Sequence, residues 1–331
     1  MRFNEWLSRV ISAVKNPTSR FFLVMATTRC ATLPLFSPSV RYESKPIVIQ
    51  TLPFFSQKKV APAPIPSWRG DWAFRRWRLE EMNAAFFEIK PDLLIAQEVM
   101  QRAESLYDAD QSILSASSLS GYIWQAAPIG KDPITQEEES AALAFSYPFQ
   151  PLQPEKAPLV WKWGETYVAA FSLEFQQEPI AVFSWFQEQA TWVQNPYAHF
   201  LPLIKDFLRN NHIHSARILI AGVFAQAAHD AAYQDFLLAL QLHDSAEGFC
   251  EQESQCYTHT PANKLYATVF GDLVPQRGVR ILIPTNALVS SSKRNFTQSG
   301  APRRYNQRYG FLETCSTLYT GWVTEIHLPS L

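Results

Sequence analysis

Short apolar runs of strand length recur along the chain and alternate with stretches of helical spacing. Pro46–Thr51 (PIVIQT), Leu93–Ala96, Ser140–Phe145, Thr166–Phe175, Ile180–Phe186, Arg217–Ala221 (RILIA), Val279–Ile283 and Val323–Leu328 each read as a strand. Apolar positions three and four apart predict helices over roughly 72–89, 197–210 and 233–240, with Pro202 marking a start or a kink in the second. A linker with spaced prolines, VAPAPIPSW, spans 60–68. Strands come in pairs in places and alternate with helices in others. That order predicts an α+β domain over 46–331, with two mixed β-sheets packed face to face and helices outside.

Residues 1–45 are set apart by charge. Over the first 42 residues Arg2, Arg9, Lys15, Arg20, Arg29 and Arg41 stand against one acid, Glu5, and Phe3, Trp6, Leu7, Val10, Ile11 and Val14 share one helical face. The pattern suits an interfacial helix touching a membrane surface through residues 2–15, a targeting segment, or a helix packed on the domain. No run approaches the ~20 apolar residues that span a bilayer.

Composition narrows the function. Of 331 residues 47% are hydrophobic, enough for a substantial core, and the net charge of −1 argues against nucleic acid as a partner. Neither GxGxxG nor GxxxxGK[ST] occurs, and no GxSxG or HExxH is present. Cys250 and Cys256 sit close together in FCEQESQCY and form a local disulfide if the protein is exported, or remain two thiols otherwise. This pair and the basic N-terminus leave an exported or membrane-peripheral location open.

The candidate chemistry begins at KPDLLIAQEV, residues 90–99, where a short apolar strand ends on Glu98. Ligands gather at the C-terminal edges of such strands in α/β sheets. With this segment, RILIAGVFAQ, CYTHTPANKLYATVFGDLVPQRGVRILIPT and YTGWVTEI, the chain resembles the endonuclease/exonuclease/phosphatase superfamily over about 46–328. Its YTHT and late strand spacing are most similar to the sphingomyelinase or secreted-nuclease branches. The resemblance implies a DNase I-like four-layer α/β sandwich and Mg²⁺-dependent phosphodiester hydrolysis, with Glu98 as a metal ligand. Pro91, Asp92, Gln97, Gly222 and Tyr319 stand as its scaffold letters.

The functional letters depart from it. Leu52 stands for the family's first-strand Asn, Trp185 for a His, Val223 and Ala225 for the Asp and Asn of the GDFN motif, Arg280 for an orienting Asp, and Gly321 and Trp322 for the final Asp–His pair. Indole Nε1–H only donates, and Val and Ala offer no polar atom, so neither the base nor its orienting carboxylate remains. The expectation is a degenerate phosphodiesterase fold, a pseudoenzyme, with no cofactor. It would bind or scaffold through a former cleft lined by Glu98, Trp185, Arg280 and Trp322, the two indoles facing each other or filling space left by lost polar groups. Residues 293–308, with Lys293, Arg294, Arg303, Arg304 and Arg308 and no acid, would border the cleft as a basic loop. The ligand is open between lipid, sugar and a phosphate-bearing molecule. The alternative is an active Mg²⁺-dependent hydrolase using displaced groups, Glu98 with Asp230, His229 or His259. His212 and His214 read as surface residues of a turn.

Overall fold

The computed structural model describes residues 45–53, 89–100, 121–131, 138–164, 166–187, 195–224, 230–250, 256, 258, 277–295 and 321–329. The expected segment 1–45, apart from Lys45, and the expected helix over 72–89, apart from its last residue, lie outside them. The strands are β1 (Ile47–Pro53), β2 (Leu93–Met100), β3 (Ile123–Lys131), β4 (Glu138–Phe145), β5 (Phe149–Pro151), β6 (Leu159–Trp163), β7 (Thr166–Phe175), β8 (Glu178–Phe186), β9 (Ile218–Val223), β10 (Leu242–Asp244), β11 (Val279–Pro284), β12 (Leu288–Asn295) and β13 (Gly321–His327). They form two mixed sheets, β12-β13-β1-β2-β4-β3 and β10-β11-β9-β8-β7-β5, with β6 also on β7. β1 pairs in parallel with β2, and β8 with β9; every other pair is antiparallel.

The sheets face each other across one apolar layer that includes Ile49, Ile95, Phe145, Phe171, Val182 and Ile281. Burying such side chains contributes about 1.5–3 kcal/mol each. The outer face of the second sheet is covered by helices α1 (Pro196–Asn210) and α2 (Ala231–Leu240), which bury Phe200, Ile204, Phe207, Phe236 and Leu240 against Val168, Phe183 and Ile220. Caps set both helix starts. Asn195 accepts from Ala198 N (3.1 Å) with Pro196 at the first turn, and Asp230 accepts from Ala232 N (2.8 Å). Pro202 neither starts nor ends α1; it lies inside the helix on the exposed face.

Two sequence features gain a structural reason here. Asp92 accepts from Val48 N (2.9 Å) and pairs with Lys45 (3.4 Å), pinning the start of β1 beside β2. His214 Nδ1 accepts from Ala216 N (3.1 Å), so this histidine caps the short 3₁₀ turn Ser215–Arg217 before β9. Lys293 and Arg294 correct one expectation, since they belong to edge strand β12 and not to a loop. The remainder of the basic stretch, including Arg303 and Arg304, lies outside the described residues.

Candidate functional site

Two parallel pairs converge on one end of the sandwich. β1, β2, β8 and β9 all finish there, and the buried Gln97 side chain ties the sheets together by donating to Thr51 Oγ1 (3.2 Å) and Ser184 Oγ (3.1 Å). β13 and β11 run the other way, so Gly321, Trp322, Val279 and Arg280 open their strands at the same end. This is the edge at which the resemblance places catalysis.

Glu98 is there, 5% exposed, in an irregular step of the β2–β4 ladder with a positive φ of 53°. Its N–H donates to the Tyr167 hydroxyl (3.1 Å). Burial, reinforced by the Glu98 carboxylate, raises the Tyr167 phenol well above its ordinary pKa. Trp322 also faces the space between the sheets and donates from Nε1 to Ser292 Oγ (2.8 Å). Val223 faces the same layer, beside Phe186 and Val279. Gly321 is buried at the head of β13.

Of the two readings of the tryptophans, the one in which they face each other does not hold. Side chains alternate across a strand, and in β8 it is Ile180, Val182 and Phe186 that face the other sheet while Ala181, Phe183 and Trp185 face the helices. Trp185 is fully buried there, stacked between Tyr197 (5.4 Å) and Phe224 (5.3 Å) with Phe200 and Phe236 around it. It fills the helix layer. Leu52 shifts for the same reason: it packs with Leu94 and Ala96 on the outer face of the first sheet, and its neighbour Thr51 turns inward. Ala225, His229 and His259 lie outside the described residues.

Arg280 likewise leaves the space between the sheets. It lies beneath α2 with its guanidinium over the Tyr233 ring (5.3 Å), donating to Asp244 Oδ2 (2.8 Å) and to Arg277 O (2.9 Å). The other Asp244 oxygen accepts from Arg277, whose guanidinium sits 4.9 Å over the Trp322 ring. Two guanidiniums therefore share one carboxylate, and the trio carries net positive charge. All three side chains are at least largely buried, Arg277 being the most open at 12%. Burial pushes the Asp244 carboxyl up, but Arg277 and Arg280 outweigh it and hold the group below the usual carboxylate range. Burial opposes the Arg280 charge, and Tyr233 and Asp244 more than restore it.

Thr258 holds the backbone that follows Arg277. Its Oγ1 accepts from Gly278 N and Val279 N, both at 2.9 Å. The Cys250–Cys256 disulfide seats Cys256 in the core just upstream of Thr258. Gln187, at the end of β8, is 1% exposed, and neither of its amide atoms meets a partner among the described residues. Arg277, Asp244, Tyr167, Thr51 and Gln187 were all missed by sequence reasoning. Only the VPQRGVR spacing, with a second arginine three residues before Arg280, carried a trace of the site. Among the described residues no three His, Cys, Asp or Glu side chains are placed to share a metal ion.

Tyr197 and Tyr233 flank this group, and burial raises both phenols far above the usual value. With Tyr167 they contribute stability that is complete below about pH 10, the unfolded phenol value, and lost as pH rises from there toward the folded values. Phenolate absorbance is therefore expected to stop short of the chain's 12 tyrosines until alkaline unfolding. Ionisation of every tyrosine near pH 10 in the folded protein would overturn this assignment.

No protein-family model matches the sequence, and no curated protein matches it. Solved structures do. An endonuclease/exonuclease/phosphatase family protein from Bacteroides thetaiotaomicron superposes with a TM-score of 0.58 at 11% identity, covering 88% of this chain and 100% of that one. The human Nocturnin catalytic domain, with a bound sulfate anion, gives 0.56 at 14% identity, over 87% and 96%. D. rerio TDP2, complexed with single strand DNA product, gives 0.54 at 12% identity, over 86% and 99%. The chain thus has the DNase I-like sandwich fold of the endonuclease/exonuclease/phosphatase superfamily. At these identities the likeness is one of fold.

Proposed function

We propose that this chain is a catalytically degenerate protein of the phosphodiesterase fold, which binds a phosphate-bearing ligand at the former catalytic edge without a metal ion. The Arg277–Asp244–Arg280 group carries the reading. Its surplus positive charge is held in a low-dielectric setting, and Arg277 stands at the strand ends on the Trp322 face. A fixed guanidinium can neutralise phosphate and bind it through two parallel hydrogen bonds. It cannot activate water as a metal or a base does.

The family positions at this edge support the same conclusion. Val223 and Trp322, like Phe186 beside them, face inward and offer no oxygen to Mg²⁺, which takes oxygen ligands. Asp244 spends both oxygens on the two guanidiniums. The alternative, hydrolysis by relocated groups, has one partner of Glu98 within the described residues, Asp230, and its carboxylate caps α2.

Calorimetric titration of inorganic phosphate, with EDTA and then with Mg²⁺, tests the proposal alongside hydrolysis of bis(p-nitrophenyl) phosphate. Binding is expected to be indifferent to EDTA and about tenfold or more weaker in Arg277→Gln, the worth of a charged hydrogen bond. No turnover is expected. Mg²⁺-dependent hydrolysis that disappears in Glu98→Gln would establish the alternative, and phosphate binding unchanged by Arg277→Gln would move the ligand elsewhere.

A further inference from the structure

A second site lies away from this edge. α1 returns from the end of β8 to the start of β9, so its C-terminal half sits toward the opposite end of the sandwich. Between that half, the turn at 152–158 and the edge strand β6 is a cavity of about 410 Å³. Small-molecule pockets run from about 300 to 1,000 Å³, mostly apolar with a few placed polar groups. None of its walls belongs to the site described above.

Two kinds of residue line it. The first make an aromatic platform. Trp161 is half-buried and fixed from beneath by Phe183 (6.3 Å, stacked) and Phe207 (6.1 Å, edge-on). Leu159 and Leu203 extend the apolar surface. The second are the carboxamide residues Gln125, Gln153 and Asn210. The Oε1 atoms of Gln125 and Gln153 are shielded from water and meet no donor among the described residues. An acceptor left in that state costs about 1–3 kcal/mol, which rotation toward a ligand donor would recover.

Charge selects the ligand class. The lining charges, Lys156 and Asp206, are opposite in sign, and both residues are exposed to solvent, which screens them. An anion or cation therefore gains little. Carboxamides donate and accept, as hydroxyl groups do. An indole face suits the C–H face of a ring.

We propose that this cavity binds a neutral polyhydroxylated ligand, a pyranoside of one or two rings, laid against Trp161 and held by Gln125, Gln153 and Asn210. The full-length protein is titrated with the methyl glycosides of glucose, galactose and mannose, read by saturation-transfer NMR and calorimetry. Cyclohexanol and inorganic phosphate serve as apolar and anionic controls. At least one glycoside is expected to bind, and Gln153→Ala and Asn210→Ala each to weaken it about fivefold with unchanged urea midpoints. Arg277→Gln should leave this binding untouched, which separates it from the phosphate proposal. Failure of all three glycosides, equal binding of cyclohexanol, or wild-type affinity in both variants would overturn the assignment.

Discussion

Asp244→Asn is expected to destabilise the fold by about 3–5 kcal/mol in urea unfolding, the range for removing one partner of a buried ion pair. The mechanism is the uncompensated charge left behind. Arg277 and Arg280 both direct guanidinium N–H groups at the Asp244 oxygens; Asp244 and Arg280 are buried and Arg277 is mostly so. Asparagine keeps the shape but leaves two cations without an anion. A pH series provides a second readout. The folded Asp244 carboxyl titrates below its unfolded value, so its contribution is complete above about pH 4 and declines as pH falls toward the folded value. The gap between wild type and variant should stay constant near neutrality and close in acid. A loss below about 1 kcal/mol would show that another anion serves the two arginines.

Gly222→Ala carries the other large effect, a loss of more than about 4 kcal/mol, enough to prevent soluble folding in a chain of ordinary stability. Gly222 has φ of 145°, a region that L side chains rarely adopt, and it lies in β9 directly beside Trp185 of β8. A Cβ there would overlap the Trp185 carbonyl oxygen and sit 2.9 Å from its carbon. Both are backbone atoms of a central strand pair and have nowhere to move. Gly248→Ala is the control. Its φ is 81° but its surroundings are open, so only the backbone term, about 1–2 kcal/mol, should appear. Equal losses in the two variants would remove the steric argument.

Gly222 also shows how far sequence reading reached. It stood out as a scaffold letter of the resemblance, and the structure supplies the reason: with φ of 145°, a side chain there would run into the Trp185 backbone of β8. Asp92 is similar, a lone acid before an apolar run that turns out to clasp β1. The strands that escaped notice were mostly short or at sheet edges. β12, LVSSSKRN, is polar enough to resemble a basic loop, and β3 contains Pro128 and Gly130, residues that sheets tolerate at an edge or a register shift.

Within the site the limit was different. Strands buried on both faces lose the alternation that marks an inner and an outer side. β8 is apolar almost throughout, so its sequence does not say whether Trp185 or Phe186 faces the opposite sheet. Leu52 in β1 posed the same ambiguity.

From the sequence alone came the local facts: where apolar runs make strands, where apolar spacing makes helices, and which residue types stand at the positions of the resemblance. A carboxylate at 98 and tryptophans at 185 and 322 needed no coordinates. Facing and pairing were decided by the tertiary structure. Asp244 joins Arg277 and Arg280 across 33 and 36 residues, and Gln97 meets Ser184 across 87. Such contacts leave no periodic trace, because side chains are brought together by sheet order and burial, and an isolated arginine or aspartate reads the same in the sequence whether it ends in solvent or in a buried trio.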